Sequence, residues 1–434
     1  MPAGPRASRR RVCITAAAAA LALPLRVRAA RPRVLIVGAG WAGLAALHTL
    51  HALQAPAGAA AQAELTLLDR QRHWRALPLS NAWLAGLAPE RLPRIDLAQH
   101  AQARGARFVA AAVDAIDRGR RELRAAGERF AYDALLLATG ALPDPAAWTG
   151  ADREAAALVQ QRWAAGFAAD ELDGLHARLQ AFGGGTLLMT VPPPPLRCPP
   201  APYERALLLS HWMARRRLPG RIVLLDAGGG LPRLNRLIAD RHAGRIEHRL
   251  QVQVQSLDPR ARRIVSTEGE HHWDEALLLP PMHAGPLLGD AGLTRVDGRD
   301  GRDGRFAAVD PDSLRSRHDE RIWLAGDTLD SVSPLFGAYP KTAEVAADLG
   351  AAAAAQIAAA LQGRSAGPAA LPQSHCHLWL QADPPEQLLL QARYRRRGDA
   401  VIEQTLRQLD NPQPRGEDLA WAQELLRRRL GIAG

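Results

Sequence analysis

The sequence predicts an α/β protein with two Rossmann-like domains and a small C-terminal α+β domain. A short apolar, β-branched run at residues 34–37 leads into a Gly-rich turn and an Ala/Leu-rich helix, which is typical of a buried parallel strand, a turn and a helix. A second α/β unit follows, with apolar runs at residues 185–191 and 221–226. The small third unit follows an Ala-rich helix and a Gly/Pro-containing joint at residues 363–368.

Composition excludes several classes of protein. With 434 residues, 47% of them hydrophobic and 23% charged, the chain suits two to three domains, not a disordered, fibrous or multi-span membrane protein. The net charge of +11 comes from arginines spread among acidic and apolar residues, and aromatic residues are only 5%. Nucleic-acid binders cluster basic charge beside aromatic or base-reading motifs, so no nucleic-acid partner is expected. Three cysteines provide neither a disulfide framework nor a multi-cysteine zinc site, and no metal is expected.

The first thirty residues have the pattern of an export signal. Four arginines and no acid precede an apolar stretch at 12–25, and residues 27–29 (VRA) form a small-residue cleavage site. Residues 8–12 (SRRRV) resemble a twin-arginine signal. We therefore expect a periplasmic protein, whose net charge falls from +11 to +5 when the six arginines of residues 1–30 are removed. The alternative is a chance basic start before an Ala-rich helix.

The Gly-rich turn has the pattern G-x-G-x-x-G between a strand and a helix. Gly38 permits the tight turn, Gly40 lets the backbone approach a pyrophosphate, and Gly43 lets helix and strand pack closely. Residues 38–43, including Ala42, are therefore predicted to lie against a dinucleotide at a helix N-terminus, where anions are favoured. Asp69 ends the second strand and is placed to accept a hydrogen bond from a ribose hydroxyl, which disfavours a 2′-phosphate.

Three further strand ends follow in a fixed order. The apolar strand at 135–138 ends in Thr139 and Gly140, and the strand at 322–325 ends in Gly326 and Asp327, with residues 221–226 between them. This set resembles the flavoproteins with two dinucleotide-binding domains. The resemblance implies FAD held by all four of these residues, with Asp327 accepting from the ribityl chain. The alternative for Asp327 is a strand-end carboxylate that caps the next helix.

The same resemblance implies further features of the FAD-binding domain. This domain is expected to be split into residues 31–150 and 286–368, around a second domain at 151–285 and before the C-terminal domain at 369–434. Val113 would contact adenine through its backbone. The Ala-rich helix after Lys341 would point its N-terminus at the flavin, and Lys341 would add positive charge there. The alternative for Lys341 is a surface lysine.

The second domain lacks the turn that a nicotinamide dinucleotide needs. Its first strand, residues 185–191, runs into four prolines at 192–195. Proline offers no N–H to a pyrophosphate and cannot form the tight positive-φ turn. The glycines at 228–230 come after the second strand of the domain, where no pyrophosphate turn is expected. The sequence therefore argues against a nicotinamide substrate.

Residues 196–206, LRCPPAPYERA, resemble the active-site segment of the flavoprotein subunit of flavocytochrome c sulfide dehydrogenase, which belongs with the sulfide:quinone oxidoreductases. The resemblance implies that Cys198 is redox-active against the flavin and that Glu204 accepts a proton. A helix predicted over 203–216, together with Arg197, would favour the Cys198 thiolate, whereas Glu204 would oppose it. The alternatives are an inert buried cysteine and a glutamate in the first turn of a helix.

Two departures from that family matter for the chemistry. Leu329 stands where the family has a second redox cysteine, so Cys198 is expected to lack a disulfide partner. It would instead hold a persulfide or form a transient flavin adduct, and a second small thiol or sulfide would complete turnover. Leu77 stands where many members bind flavin covalently, so the FAD is expected to be non-covalent. Cys376, between two histidines, is interpreted as structural, because this spacing does not make a tetrahedral metal site.

The electron acceptor is expected to be a separate molecule, because the chain has no C-x-x-C-H haem motif. The resemblance favours a small c-type cytochrome subunit, with residues 369–434 forming part of the flavin environment and of the partner-facing surface. A quinone is the alternative, and contact of the Arg-rich helix 417–430 with a membrane belongs to that alternative. A hypothesis of a different class is a flavin-binding accessory protein of a sulfur-oxidation complex, without turnover of its own.

Overall fold

The computed structural model describes residues 1, 4, 31–54, 62–88, 91–294 and 305–432. The predicted export signal, and Cys13 within it, lie outside the described residues apart from residues 1 and 4. The predicted cleavage site at 27–29 lies outside them as well.

Residues 31–150 form short strands around one long helix. In chain order they are β1 (Arg33–Val37), α1 (Trp41–Gln54), β2 (Glu64–Asp69), β3 (His73–Arg75), α2 (Ser80–Leu84), β4 (Arg94–Asp96), α3 (Leu97–Gln102), β5 (Arg107–Ala110), β6 (Val113–Asp117), β7 (Glu122–Ala125), β8 (Glu128–Ala131), β9 (Ala134–Leu137), β10 (Leu142–Pro143) and α4 (Ala146–Thr149).

Residues 151–285 form the second α/β unit. Its elements are α5 (Arg153–Leu158) with a π-helical turn (Val159–Trp163), α6 (Leu172–Ala181), β11 (Gly185–Val191), α7 (Ala201–Arg215), β12 (Gly220–Asp226), α8 (Pro232–Arg241), β13 (Ile246–Leu250), β14 (Val254–Asp258), β15 (Arg263–Ser266), β16 (Gly269–His272), β17 (Glu275–Leu277) and β18 (Met282–His283).

The rest of the described chain returns to the first unit and then forms a third. Its elements are α9 (Pro286–Asp290), β19 (Arg315–Ser316), β20 (Asp319–Leu324), a 3₁₀ turn (Gly326–Thr328), α10 (Ala343–Leu361), β21 (Gln373–Ala382), β22 (Pro385–Arg396), β23 (Ile402–Asn411) and α11 (Glu417–Leu425), which continues as a π-helical turn (Leu426–Leu430).

The first unit is built on a sheet of order β19-β20-β9-β1-β2-β5, in which all pairs from β20 to β5 are parallel. Strand β20 pairs with β9 through Leu324 and Leu137, so segments far apart in the chain share one sheet. The strands β1 and β9 are buried on both faces because α-helices and other elements cover them. The carboxyl ends of β1, β2, β9 and β20 meet at one edge, where ligands of such sheets bind.

Helices α1 and α10 cross in close contact over this sheet. A Cβ on Gly350 of α10 would lie 2.0 Å from the carbonyl oxygen of Ala42 in α1, so only glycine permits this approach. Helix α10 is apolar and long enough to cross a membrane, yet 67% of its apolar window is buried inside the protein. We therefore interpret α10 as a core helix.

The second unit has a parallel sheet of order β13-β12-β11-β17, with helix α7 connecting β11 to β12. The predicted fold class is confirmed, with two Rossmann-like α/β units. The third unit is the antiparallel sheet β21-β22-β23 with α11, and its strand β21 packs against α7. The helix predicted over 203–216 begins two residues earlier, at Ala201, because Pro200 and Pro202 initiate its first turn.

Candidate active site

The Gly-rich turn between β1 and α1 has the shape that a dinucleotide requires. Gly38 has φ +99°, and a Cβ there would lie 2.3 Å from the carbonyl oxygen of Ala138. A Cβ on Gly43 would lie 1.8 Å from the carbonyl oxygen of Gly38, so helix and turn could not close around a larger residue. Above Gly40 there is no atom within 4 Å of a built Cβ, which leaves open space where a pyrophosphate can approach the backbone.

Asp69 lies at the carboxyl end of β2 and is bonded to this turn. Its Oδ2 accepts from the Ala39 backbone N–H at 2.7 Å and its Oδ1 from the Gln71 N–H at 2.8 Å. The carboxylate thus braces the Gly-rich turn at the position where a ribose is expected. Val113, the predicted adenine contact, is the half-buried first residue of β6.

The turn after β9 has an unsatisfied polar group. The hydroxyl of Thr139 is buried and has no hydrogen-bond partner among the described residues, and Gly140 has φ +74°. A buried hydroxyl without a partner is costly, and a ligand that donates to or accepts from it would remove the cost. Together with the open space at Gly40, this orphan hydroxyl fits a bound FAD at this sheet edge.

Asp327 lies after β20 in the 3₁₀ turn and forms an ion pair. Its Oδ2 accepts from Nε of Arg197 at 3.1 Å. The Arg197 guanidinium also donates to the carbonyl oxygens of Ala141 (2.7 Å) and Phe167 (2.5 Å), so it joins three segments of the chain. Helix α10 is capped by Thr342, so the alternative in which Asp327 caps that helix is wrong. Gly326, with φ +81°, packs against Ala42.

Lys341 is buried rather than on the surface, so the surface alternative is wrong. It is 3% exposed, and its Nζ donates to the carbonyl oxygens of Asp327 (2.6 Å) and Leu329 (3.0 Å). The ammonium also lies 4.0 Å from the centre of the Phe306 ring. Burial lowers the pKa of Lys341 to about 8. Its charge therefore lies beside the backbone of the Gly326–Thr328 turn.

Cys198 is held in a left-handed backbone conformation just before α7. Its φ is 45°, its N–H donates to the Lys341 carbonyl at 2.8 Å, and its carbonyl accepts from the Ala201 N–H at 2.8 Å. Non-glycine residues adopt this conformation at a cost that the surrounding bonds must offset. Cys198 is therefore fixed by the segment that carries Lys341 as well as by its own helix.

Cys376, on β21, is a neighbour of the Cys198 thiol. It is the largest influence on the pKa of Cys198, and both residues are half-buried free cysteines. The expected lack of a disulfide partner for Cys198 and the structural interpretation of Cys376 stay predictions, and Cys376 is the cysteine that lies beside Cys198. Sequence distance concealed the pair, because packing of β21 on α7 brings together residues 178 positions apart.

The electrostatic surroundings disfavour the Cys198 thiolate in this state. The hydrogen bond with Cys376, then burial, then the nearby Glu204 carboxylate raise the pKa of Cys198 well above its usual range. The expectation that Arg197 favours the thiolate is wrong, because its guanidinium is bonded to Asp327 and to two carbonyl groups.

Glu204 lies in the first turn of α7, next to the thiols and almost completely buried. Its Oε1 accepts from the Trp379 backbone N–H at 2.9 Å, and its Oε2 accepts from Nδ2 of Asn81 at 2.6 Å. Burial raises the pKa of Glu204 to about 7, against the opposing effect of these two donors. The group can therefore exchange a proton near neutral pH, which fits its predicted role as a proton acceptor.

Sequence reasoning missed two residues of this site, Asn81 and Arg205. Asn81 lies in the short helix α2, and its Oδ1 accepts from Nε of Arg205 at 2.7 Å. Arg205 is 1% exposed and lies over the Phe167 ring at 4.2 Å. In the sequence Arg205 directly follows Glu204, which could have drawn attention to it. No local pattern connects Arg205 with Asn81.

The second unit has no cradle for a pyrophosphate after β11, where residues 192–195 are prolines. Asp226, at the end of β12, is 1% exposed and already bonded: Tyr203 donates to its Oδ2 at 2.7 Å, and Nε2 of His248 lies 3.2 Å from the same oxygen. A ribose could not reach this carboxylate without displacing both side chains.

The fold and the site resemble those of a class of protein, the FAD-dependent flavoproteins of the disulfide-oxidoreductase type. Residues 32–187 match the family model of the pyridine nucleotide-disulphide oxidoreductases. Residues 173–279 match the model described as the central region of the sulfide dehydrogenase [flavocytochrome c] flavoprotein chain. The chain is thus similar to the flavoprotein chains of flavocytochrome c sulfide dehydrogenase, and the resemblance predicted from residues 196–206 is confirmed. FAD is the cofactor that this class implies.

Solved structures show the same fold. The sulfide:quinone oxidoreductase of Aquifex aeolicus matches with a TM-score of 0.71 at 16% identity, covering 92% of each chain. A ferredoxin reductase of Rhodopseudomonas palustris matches with a TM-score of 0.60 at 18% identity, over 87% of this chain and 91% of the other. An NAD-dependent persulfide reductase of A. fulgidus matches with a TM-score of 0.58 at 14% identity, over 92% and 77%. At such identities the likeness is one of fold.

Proposed function

We propose that this chain is an exported, FAD-dependent oxidoreductase that oxidises sulfide or a related small sulfur compound and passes the electrons to a c-type cytochrome. The observation that carries the proposal is the clustering of two free cysteines, Cys198 and Cys376, beside the buried carboxyl group of Glu204, where β21 packs on α7. The two sulfurs can undergo thiol–disulfide exchange, and the carboxyl group can take up a proton.

The sulfur chemistry begins from the oxidised pair. HS⁻ attacks one sulfur of a Cys198–Cys376 disulfide, the S–S bond breaks, and one cysteine becomes a persulfide while the other leaves as a thiolate. A second HS⁻ attacks the outer sulfur of the persulfide and departs with it as a disulfide anion, which leaves two reduced cysteines. The two sulfides have then lost two electrons in total, and the cysteine pair has gained them.

Glu204 is suited to the proton transfers of this sequence. A thiolate released beside it takes a proton when the pair is reduced, and the thiols must lose two protons when the disulfide re-forms. Because burial raises the pKa of Glu204 to about 7, the carboxyl group can give and take a proton at neutral pH. FAD, when bound, supplies the two-electron acceptor that reoxidises the thiols.

Residues on the FAD side would hold the cofactor. The turn that Gly38 and Gly43 permit would receive the pyrophosphate at Gly40, and the orphan hydroxyl of Thr139 would gain a partner. Asp327 is proposed for the ribityl chain. In the described state it is paired with Arg197.

The acceptor and the compartment belong to the proposal as well. The export-signal pattern of residues 1–30 supports a periplasmic location. The sequence has no C-x-x-C-H motif, so the proposed cytochrome would be a separate protein. The accessory-protein hypothesis rests on the replacement of two family cysteines by Leu329 and Leu77, and the presence of Cys376 beside Cys198 favours the enzyme over it.

Anaerobic titration with sulfide tests the proposal. Sulfide should bleach the flavin band of the wild type, and both Cys198→Ser and Cys376→Ser should keep their FAD but lose the bleaching. Ser210→Ala, a buried change on the same helix α7, is the matched control and should bleach like the wild type. Bleaching that persists in Cys376→Ser would overturn the role of the pair. Turnover with soluble quinone but none with cytochrome c would overturn the proposed acceptor.

A further inference from the structure

Both oxygens of the Glu204 carboxyl group accept a hydrogen bond from an N–H donor. Oε2 accepts from the Asn81 side chain at 2.6 Å, and Oε1 from the Trp379 backbone at 2.9 Å. Among the described residues, neither oxygen is hydrogen-bonded to an acceptor that a protonated carboxyl could donate to. Donors on both oxygens favour the ionised form, so this arrangement opposes the effect of burial.

The orientation of the Asn81 amide is fixed by its other bonds. Its Oδ1 accepts from Nε of Arg205 at 2.7 Å, and its Nδ2 also donates to the Ala201 carbonyl oxygen at 3.0 Å. A guanidinium N–H can only donate and a carbonyl oxygen can only accept, so the amide fits one way round. The Nδ2 group must therefore face Glu204.

Arg205 is in turn locked in place from the far side. It donates to the carbonyl oxygens of Ala165 and Gly166, and its guanidinium lies on the Phe167 ring. The segment at residues 165–167 thus fixes Arg205, Arg205 fixes Asn81, and Asn81 donates to Glu204. Asn81 itself is presented by α2, which follows Leu79 in a left-handed conformation with φ 71°.

We propose that Asn81 is a positioning residue for the proton chemistry of the site: its amide sets the pH range over which Glu204 exchanges a proton with the Cys198–Cys376 pair. The biological role of Asn81 rests on the proposed function, whereas its effect on Glu204 rests on the hydrogen bonds described above. Asn81 touches neither sulfur in any described hydrogen bond, so it acts through Glu204.

The charged and titratable groups around Glu204 come from three elements. Arg205 on α7 favours the carboxylate, Asp418 on α11 opposes it, and the thiols lie on the loop before α7 and on β21. Burial is the largest influence on the pKa of Glu204 and raises it to about 7, while the Trp379 and Asn81 donors lower it. Loss of the Asn81 donor should therefore move the pKa of Glu204 further up.

The test measures the protonation of Glu204 directly. The carbonyl stretch of the protonated carboxyl is isolated as the infrared difference between each protein and the same protein carrying Glu204→Gln, across a pH series without sulfide. Asn81→Leu should raise the midpoint by about one to two pH units, the worth of a hydrogen bond to a charged group. Asn235→Leu, which removes an amide that bonds Gly229 and Leu231 in the second unit, should leave the midpoint unchanged.

Each outcome decides the proposal. If Asn81→Leu fails to fold with FAD, Asn81→Ser, which keeps a hydroxyl, replaces it and should show a smaller upward shift. An unmoved midpoint in the folded variant overturns the role of Asn81, whether or not sulfide bleaches the flavin. A shifted midpoint in a protein that sulfide does not bleach would leave the role of Asn81 standing and remove the proposed function.

Discussion

The crossing of α1 and α10 provides a sharp test of how the FAD-binding turn is built. A Cβ on Gly350 would lie 2.0 Å from the carbonyl oxygen of Ala42 and 2.8 Å from its Cα. Real contacts of this kind do not fall below 3.0 Å, so Gly350→Ala forces the two helices apart by about 1 Å. Because Ala42 belongs to the Gly-rich turn, this displacement moves the proposed pyrophosphate site.

The cost follows from the kind of atom that is displaced. Overpacking typically costs about 1–3 kcal/mol, and a clash with main-chain atoms belongs at the upper end, about 3 kcal/mol. For a unit of this size about 2–4 °C of melting temperature is lost per kcal/mol, which gives a fall of about 6–12 °C. FAD content should fall in parallel, because the turn no longer fits the pyrophosphate.

Thermal unfolding followed by flavin fluorescence, with FAD content measured by absorbance, checks this expectation. Gly174→Ala in α6 is the matched control, since a Cβ there meets no atom within 4 Å. This control should be neutral or more stable by up to about 1 kcal/mol, because alanine is the better helix former. A Gly350→Ala protein that keeps its FAD and melts with the wild type would refute the reasoning.

Three other expectations follow. Burial raises the pKa of Glu204 from 4.5 to about 7, so the neutral carboxyl group contributes about 3 kcal/mol to the free energy of unfolding below pH 4.5. This contribution is lost as the pH rises through 7. Urea midpoints of wild type and Glu204→Gln that run parallel from pH 5 to 8 would contradict this. Because Leu77 stands where many members of the resembled family bind flavin covalently, acid precipitation should release yellow flavin into the supernatant, and flavin kept in the pellet would show a covalent link. With Asp226 bonded to Tyr203 and His248, excess NADH should not reduce the bound flavin rapidly, which stopped-flow absorbance checks.

Local patterns predicted what depends on local structure. The Gly-rich turn, Asp69 and the Gly326–Asp327 turn each follow a strand directly, so the parallel sheet brings them to one edge once the strands pair. Glu204 was predicted from a segment resemblance, and the structure places it beside Cys198 because one loop and one helix turn carry both.

Contacts between distant segments were beyond such patterns. Nothing near residue 376 indicates that β21 packs on α7, and this packing alone supplies the second thiol. The same holds for Arg197, which was expected to favour the Cys198 thiolate. Its guanidinium is bound instead by Asp327 and by two carbonyl groups from elsewhere in the chain. Tertiary partners decide the electrostatics of a side chain, and sequence adjacency does not.

The distance along the chain between the two thiols has a consequence for heat resistance. Cys198 and Cys376 are 178 positions apart, so a covalent crosslink between them would close residues 198–376 into a ring in the unfolded chain. Loop-closure entropy for a ring of that size is worth about 5 kcal/mol at room temperature. Oxidised and reduced molecules of this protein should therefore differ in their resistance to denaturation. Each formation and reduction of the disulfide would link the C-terminal sheet β21-β22-β23 covalently to the second unit and then release it.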